Sequence, residues 1–210
     1  MGKLIVSEFV TLDGVVEAPG GEPTHPHTGW VIEHTGPEQL GYKTKEVFEA
    51  DALLLGRITY EGFAGAWPQR DGEFADKMNS MPKYVVSSTI AGPLEWNNST
   101  VVKGALAREV TRLKEQDGGP LLVAGSATLV RALIEHDLVD ELRLMVFPVM
   151  VGGGLRAFPE SRAKKLFELT DVTRFSTGVA VHTYRPASAS LADDGAQALR
   201  DVGVDVDVDG

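Results

Sequence analysis

The sequence predicts a single α/β domain with a mixed, mostly parallel sheet and helices on both of its faces. Short apolar, β-rich runs alternate with segments of helical periodicity over residues 3–186, which is the pattern of βαβ units. Near-continuous apolar runs at 53–55 and 121–123 are typical of parallel strands buried on both faces. The last two runs, 165–175 and 178–186, flank a Ser-Thr-Gly turn and predict an antiparallel hairpin.

The elements are predicted in chain order from these patterns. A strand at 3–10 precedes a helix at 36–51, in which Pro37 suits the first helical turn. Further strands are expected at 52–56, 83–88, 99–102, 120–125 and 140–148. Helices are expected at 105–116 and 126–139, where apolar residues recur on one face. The chain has no internal repeat and no long linker.

Composition excludes several classes of function. The chain has no cysteine, so disulfides, thiolate metal sites and a cysteine nucleophile are excluded. A formal net charge of -10 argues against nucleic acid as the principal partner, because phosphate binding favours a basic face. The N-terminal apolar run is too short for a secretory signal, and no run is long enough to cross a bilayer. We therefore expect a cytoplasmic protein, with neither nucleic acid nor a membrane as its principal partner.

Residues 187–210 differ from the rest of the chain. This segment carries six aspartates and one arginine, and it has few large apolar side chains to bury. Such a composition predicts a disordered acidic tail. The alternatives are an edge strand formed by the alternating Val-Asp run and a loose divalent-cation site. The predicted domain is therefore 1–186, followed by the tail.

Two junctions between a strand and a helix share one design. In "LLLGRITYE" and in "LLVAGSATL", a buried strand ends at glycine and a helix opens within a few residues. Unpaired N–H groups and the positive end of the helix dipole then point to one place. Gly56 and Gly125 would let a phosphate approach the backbone, and Arg57 and Thr59 add a cation and a hydroxyl. The alternative is that both junctions are ordinary turns.

A third group of polar residues follows two other strands. Ser87 and Ser88 end the strand "KYVV", and Lys103 ends the strand "STVV". Since ligands of open α/β sheets bind at the carboxyl ends of the strands, these residues suit a phosphomonoester such as the 2′-phosphate of NADP. The alternative is a polar loop without a ligand.

Several other residues allow two interpretations. Trp30 and Trp67 are candidate walls for a planar substrate, or anchors of the core and of loops. Asp13 either lies near a substrate or caps an ordinary turn. His25 and His27 have the spacing of a chelating pair, but Pro26 between them favours a structured loop, and we predict no metal site.

The order of these motifs carries a family resemblance. Ser7 with Leu12-Asp13-Gly14 is followed by "LLLGRITYE", "PKYVVSST", "AGSATLVRALIEHDLVDELRL" and "PVMVGGGLRAF". Together they resemble bacterial dihydrofolate-reductase-like proteins, in the branch allied to the reductase domain of the bifunctional deaminase-reductase of riboflavin biosynthesis. The resemblance covers nearly all of residues 3–186. It implies a three-layer sandwich with a C-terminal antiparallel hairpin.

The resemblance also implies a role for each motif. In such proteins the first Gly-Arg-x-Thr turn holds the pyrophosphate, a second turn completes that site, and serines with a nearby cation receive the 2′-phosphate and ribose. A loop after the first strand closes over the nicotinamide, which a glycine-rich segment also borders. The matching residues here are Gly56, Arg57 and Thr59; Gly125, Ser126, Ala127 and Thr128; Ser87, Ser88 and Lys103; Gly14 to Val16; and Gly152 with Gly153. Asp13 is the candidate catalytic group, as the polar residue near the substrate.

Three hypotheses about function follow. The first is an NADPH-dependent oxidoreductase that transfers hydride to a small heteroaromatic or pterin- or flavin-precursor-like substrate. The second is a catalytically weak nucleotide-binding or sensor module on the same fold. The third is a protein without a nucleotide site, in which the junctions are only turns. The resemblance further implies a homodimer.

Overall fold

The computed structural model describes residues 2–116, 118–158, 164–188, 197–198 and 200–202. Eight strands and five α-helices are found there. The strands are β1 (Leu4–Thr11), β2 (Ala52–Gly56), β3 (Lys83–Val86), β4 (Ser99–Val102), β5 (Leu121–Ala124), β6 (Glu141–Phe147), β7 (Phe167–Arg174) and β8 (Ala180–Pro186). The helices are α1 (Pro37–Glu49), α2 (Arg57–Ala66), α3 (Glu73–Ser80), α4 (Leu106–Lys114) and α5 (Ala127–Glu135). Short 3-10 helices span Ile32–His34 and Trp67–Gln69.

All eight strands form one sheet in the order β4-β3-β2-β5-β1-β6-β8-β7. The first six strands in this order, β4 to β6, form five parallel pairs. The sheet ends with β8 antiparallel to β6 and β7 antiparallel to β8. The predicted mixed sheet and its C-terminal hairpin are therefore confirmed.

Helices cover both faces of the parallel part. On one face, α4 and α5 pack on the sheet through the buried residues Val110, Leu113, Leu129, Val130 and Leu133. On the other face, α1, α2 and α3 contribute Val47, Tyr60 and Met78, which meet Leu53 and Leu55 of β2. Alternate residues of β2 thus enter opposite cores, as the period of two along a strand requires. The three-layer arrangement agrees with the prediction.

Helix α3 was not predicted from the sequence. Its eight residues include only two fully buried apolar side chains, Ala75 and Met78, so the apolar period is too short to stand out. Immediately after it, Lys83 is completely buried at the start of β3. Its ammonium donates to the carbonyl oxygens of Asn79 at 2.6 Å and Asn97 at 3.2 Å, and lies 4.2 Å from the centre of the Trp96 ring. These contacts fix the α3–β3 connection.

Most of the predicted acidic tail, namely residues 189–196, 199 and 203–210, lies outside the described residues. Its separation from the domain and its disorder therefore stay predictions. Among the helices of the described ranges, none is long and apolar enough to cross a membrane.

Candidate functional site

The carboxyl ends of the six parallel strands bring most of the predicted site residues to one edge of the sheet. Asp13 and Gly14 follow β1, Arg57 and Thr59 open α2 after β2, and the turn at 125–128 follows β5. Ser87 and Ser88 follow β3, Lys103 follows β4, and Gly152 and Gly153 come after β6. The sheet topology therefore brings segments that are distant in sequence to the same edge.

The two glycine junctions are in direct contact at the centre of this edge. The backbone N–H of Gly56 donates to the Ser126 hydroxyl oxygen at 2.8 Å. Gly125 and Ser126 both have left-handed backbone angles, with φ of 77° and 74°. A Cβ on Gly125 would lie 3.5 Å from Thr59 Cγ2 and 3.7 Å from its hydroxyl oxygen. The two turns and Thr59 thus form one continuous surface that is largely backbone.

Charged and hydroxyl groups surround this surface. Arg57 forms an i,i+4 ion pair with Glu61, at 3.0 Å, and its side chain is 43% exposed. Ser87 accepts hydrogen bonds from the N–H groups of Thr89 and Ile90, both at 3.1 Å, so part of its bonding capacity shapes the turn. Ser88 and Lys103 are exposed. The edge therefore offers cations and hydroxyls, with one carboxylate already beside Arg57.

Asp13 connects the segment after β1 to the segment after β6. Its Oδ1 accepts from the Thr11 hydroxyl at 2.6 Å and from the Val151 N–H at 3.3 Å, and its Oδ2 accepts from the Gly152 N–H at 2.8 Å. The Thr11 hydrogen bond is the largest cause that holds the pKa of Asp13 below its ordinary value; burial opposes it, and the backbone donors, Gly152 and Val151 among them, lower the pKa further. Asp13 is therefore an ionised acceptor that joins two loops.

The same two segments are paired along their backbones. Val16 N–H donates to Leu155 O and Ala157 N–H donates to Gly14 O, both at 2.9 Å, and Val15 forms an antiparallel bridge with Arg156. The Arg156 guanidinium also donates to the Asp13 carbonyl oxygen. Predicted site residues Gly14, Val16, Gly152 and Gly153 are thus brought together in one double-stranded loop.

The two predicted substrate tryptophans both pack against other aromatic rings. Trp30 is only 6% exposed; its ring packs against Phe147 at 5.2 Å and its Nε1–H donates to the Glu17 carbonyl oxygen at 2.8 Å. Trp67 follows the last residue of α2, about 15 Å of helix away from Arg57, and packs against Phe74 at 5.1 Å. The structure therefore gives both tryptophans packing partners and does not bring Trp67 to the edge.

A buried polar cluster on the α1 side of β1 was missed by sequence reasoning. Lys43 of α1 donates to the Ser7 hydroxyl at 2.9 Å and pairs with Glu46. Glu46 also accepts from Arg143 at 3.2 Å. Burial opposes ionisation of Glu46, but Lys43 and then Arg143 outweigh it, so the pKa of Glu46 lies below its ordinary value. Ser7 is paired in register with Ala124, so this cluster lies directly behind the β5 turn.

Glu8, on the opposite face of β1, is the second group that was missed. It is 4% exposed, and its Oε1 has no hydrogen-bond partner among the described residues. Burial raises the pKa of Glu8 to about 8, against the lowering effect of the Lys43 charge. The carboxyl group is therefore neutral at pH 7. A signal was present in the sequence, because Ser7 and Glu8 interrupt an otherwise apolar strand.

Among the described residues, no group of three or more His, Asp or Glu side chains could hold a metal ion. His25 and His27, the chelating pair considered above, have rings 5.8 Å apart. The cations, hydroxyls and exposed backbone at the sheet edge suit an anionic ligand that lies along the backbone of the two glycine turns.

The fold is a three-layer α/β sandwich with its candidate site at the carboxyl ends of the parallel strands, and comparison with known proteins supplies the family. The family model described as the RibD C-terminal domain matches residues 2–181. The chain belongs to this family, which confirms the resemblance seen in the motifs. Two relatives come from Bacillus subtilis (strain 168), the uncharacterized proteins YyaP and YwjB. YyaP is 28% identical over 187 residues, covering 87% of this chain and 94% of its own. YwjB is 27% identical over 184 residues, covering 87% and 98%.

Solved structures confirm the fold. A protein from Shewanella sp. PV-4 assigned to riboflavin biosynthesis superposes with a TM-score of 0.72 at 22% identity, over 89% of this chain and 99% of its own. A pyrimidine reductase-like protein of Corynebacterium diphtheriae gives 0.63 at 12% identity, over 89% and 92%. Dihydrofolate reductase of Enterococcus faecalis, solved with NADP(H), gives 0.55 at 17% identity, over 89% and 98%.

Proposed function

We propose that the protein is an NADPH-dependent oxidoreductase that transfers hydride to a small heteroaromatic or pterin- or flavin-precursor-like substrate. The observation that carries the proposal is the contact of the β2 and β5 junctions, in which Gly56 N–H meets the Ser126 hydroxyl at 2.8 Å. Two helix N-termini, α2 and α5, thereby open at one point of the sheet edge. Backbone N–H groups and two helix dipoles at one point favour a pyrophosphate.

The residues present fit such a cofactor. Gly125 leaves the space in front of Thr59 free of a side chain, and its φ of 77° is one that glycine adopts without strain. We call the surface formed by the two glycine turns and Thr59 the pyrophosphate cradle. In the proposal, this cradle holds the pyrophosphate and Arg57 binds the pyrophosphate oxygens. Ser88 and Lys103 receive the 2′-phosphate, and Ser87 orders the turn that carries Ser88.

NADPH would supply the hydride when bound. The protein would position the reactants and exclude water from the site. The loop of residues 12–18 and the segment of residues 149–157 would flank the nicotinamide and keep water from it. Asp13 serves this arrangement as the acceptor that joins the loops. Because the pKa of Asp13 is lowered, the carboxylate is a poor proton source, and we assign it positioning rather than proton transfer.

Titration of the purified protein with NADPH and separately with NADH, followed by calorimetry or nicotinamide fluorescence, tests the proposal. Tight NADPH with weak NADH is the expected result. Equal binding would remove the 2′-phosphate role from Ser87, Ser88 and Lys103 while leaving the pyrophosphate cradle. Absence of binding by either nucleotide would refute the proposed function.

Replacing Arg57 by alanine is expected to weaken NADPH binding tenfold or more, because a hydrogen bond to a charged group is worth about 1.5–3 kcal/mol. Arg70→Ala is the matched control. Arg70 lies beyond the other end of α2 and stacks on Trp67 at 4.6 Å, so its removal should leave the dissociation constant unchanged. Equal calorimetric affinities for wild type and Arg57→Ala would show that the phosphate is placed wrongly.

A nucleotide-binding or sensor module is the second candidate. It is favoured by the state of the two carboxylates nearest the end of β1: Asp13 is fully engaged in hydrogen bonds, and Glu8 is buried. Steady-state consumption of NADPH with conjugated heteroaromatic acceptors separates the two candidates. Turnover supports the reductase, whereas tight NADPH binding without consumption supports the sensor.

A further inference from the structure

His25 provides a second side-chain contact to the glycine-rich segment, besides those made by Asp13. Its ring belongs to the long β1–α1 connection and is 8% exposed. Nε2 lies 2.8 Å from the carbonyl oxygen of Gly153. A Cβ on Gly154 would lie 3.0 Å from His25 Cδ2 and 3.0 Å from Val15 Cγ1, and Gly154 has a φ of 118°. The imidazole therefore rests directly on this backbone, and only glycine allows so close an approach.

The hydrogen bonds define the state of the ring. The backbone N–H of His27 points at His25 Nδ1, at 3.0 Å. Nδ1 must then carry a lone pair, so that the proton of the neutral imidazole is on Nε2. Nε2–H consequently donates to Gly153 O. The ring links its own turn, through Nδ1, to the glycine-rich segment, through Nε2.

Three consecutive residues are fixed by the two side chains together. Asp13 accepts from the N–H groups of Val151 and Gly152, and His25 donates to the carbonyl oxygen of Gly153. Gly152 and Gly153 are exposed, and a run of three glycines has the largest conformational freedom of any backbone. Arg156 also donates to the carbonyl oxygen of Gly152 at 3.4 Å, and the Gly153 carbonyl oxygen is the atom that His25 holds.

We propose that His25 is a positioning residue, which latches the β1–α1 connection onto Gly152–Gly154 and so orders that segment against the nicotinamide end of the bound cofactor. The inference rests on the proposed function for its nicotinamide part. It assigns to His25 no contact with the adenosine end, which in the proposed function would be held by Ser88 and Lys103, after β3 and β4 at the far end of the sheet. His25 is thus expected to affect one end of the cofactor and to leave the other unchanged.

Two conservative variants separate the two hydrogen bonds of the ring. The amide nitrogen of glutamine can take the place of Nε2, so His25→Gln keeps a donor for Gly153 O and loses the acceptor for His27 N–H. The amide oxygen of asparagine can take the place of Nδ1, so His25→Asn keeps that acceptor and loses the donor. A residue that only shapes its own turn would be rescued by asparagine, whereas the latch would be rescued by glutamine.

The first readout is amide hydrogen exchange at residues 152–155 in the free protein. We expect His25→Asn to accelerate exchange there by roughly three- to tenfold, the factor that one neutral hydrogen bond supplies, and His25→Gln to remain near wild type. The second readout is the affinity for NADPH and for 2′-phospho-ADP-ribose, which lacks the nicotinamide. His25→Asn should weaken NADPH by a similar factor and leave 2′-phospho-ADP-ribose unchanged.

Three outcomes would overturn the inference. Rescue of exchange by asparagine instead of glutamine would make His25 a local turn residue. Equal weakening of both nucleotides would mean that the substitution acts on the whole site and not on its nicotinamide end. Binding of neither nucleotide by the wild type would refute the proposed function and with it the nicotinamide part, while the exchange comparison still decides whether His25 holds the glycine-rich segment.

Discussion

Replacing Glu46 by alanine is expected to lower the free energy of unfolding by about 3–5 kcal/mol, the cost of removing one partner from a buried ion pair. The Glu46 side chain is 2% exposed and contacts both Lys43 and Arg143. Alanine would leave Lys43 with the Ser7 hydroxyl as its only neighbour from this cluster, and Arg143 with Glu141. Urea denaturation at pH 7 measures the loss.

The matched control is Glu49→Ala, three residues further along the same helix. Glu49 pairs with Lys45 at 3.8 Å with both side chains largely exposed, and such surface pairs contribute little. A loss for Glu46→Ala no larger than for Glu49→Ala would mean that water reaches the cluster.

The ion pair also predicts a pH effect: because the pKa of Glu46 is lowered in the folded state, its stabilisation is present above the ordinary glutamate range and is lost as pH falls.

Glu8→Gln should also change the pH dependence of the free energy of unfolding. The contribution of Glu8 is present at low pH and lost as pH rises, which is opposite to that of Glu46. The pKa of Glu8 is raised from 4.5 to about 8 by burial, so its contribution is fully present below about pH 4.5 and is lost as pH rises through about 8. In that window the unfolded chain releases a proton that the folded protein keeps, which costs up to about 1.4 kcal/mol per pH unit. Glutamine has the shape of the protonated acid but cannot ionise, so its variant should not show this decline.

The test compares urea denaturation of wild type and Glu8→Gln at pH 5, 6.5 and 8. We expect the variant to gain stability relative to wild type at each step. Glu49→Gln, at an exposed position, should run parallel to wild type over the same range. If Glu8→Gln also ran parallel, the Glu8 carboxyl would have to titrate alike in the folded and unfolded states, and its buried environment would be refuted.

Much of the site could be anticipated from local signals. The junctions at Gly56 and Gly125 were predicted because a strand that ends at glycine just before a helix leaves backbone N–H groups at the helix N-terminus. In a parallel sheet, the carboxyl ends of the strands also lie at one edge. The contact between Gly56 and Ser126 follows from β2 and β5 being neighbours. The strands and the mixed, mostly parallel sheet could therefore be predicted where the apolar period was long enough to recognise, whereas the order of the strands in the sheet was found only in the structure.

The remaining part depends on pairs that no local pattern connects. Lys43 and Ser7 are 36 residues apart, Arg143 and Glu46 are 97 apart, and Asp13 and Gly152 are 139 apart. Asp13 was predicted at the site, but its role as an acceptor between two loops follows only from where the glycine-rich segment lies. The residues that suit substrate contact, the homodimer and the acidic tail stay predictions.

The position of β1 in the sheet has a consequence for how the chain folds. This strand pairs with β5 and β6, which begin at Leu121 and Glu141. During synthesis, β1 therefore has neither partner until the segments that contain β5 and β6 have emerged. Closing loops of this length before any pairing is gained slows the search for native contacts. An apolar strand left unpaired meanwhile is a target for aggregation and for chaperones, so yield on expression should depend on how soon β5 and β6 follow β1.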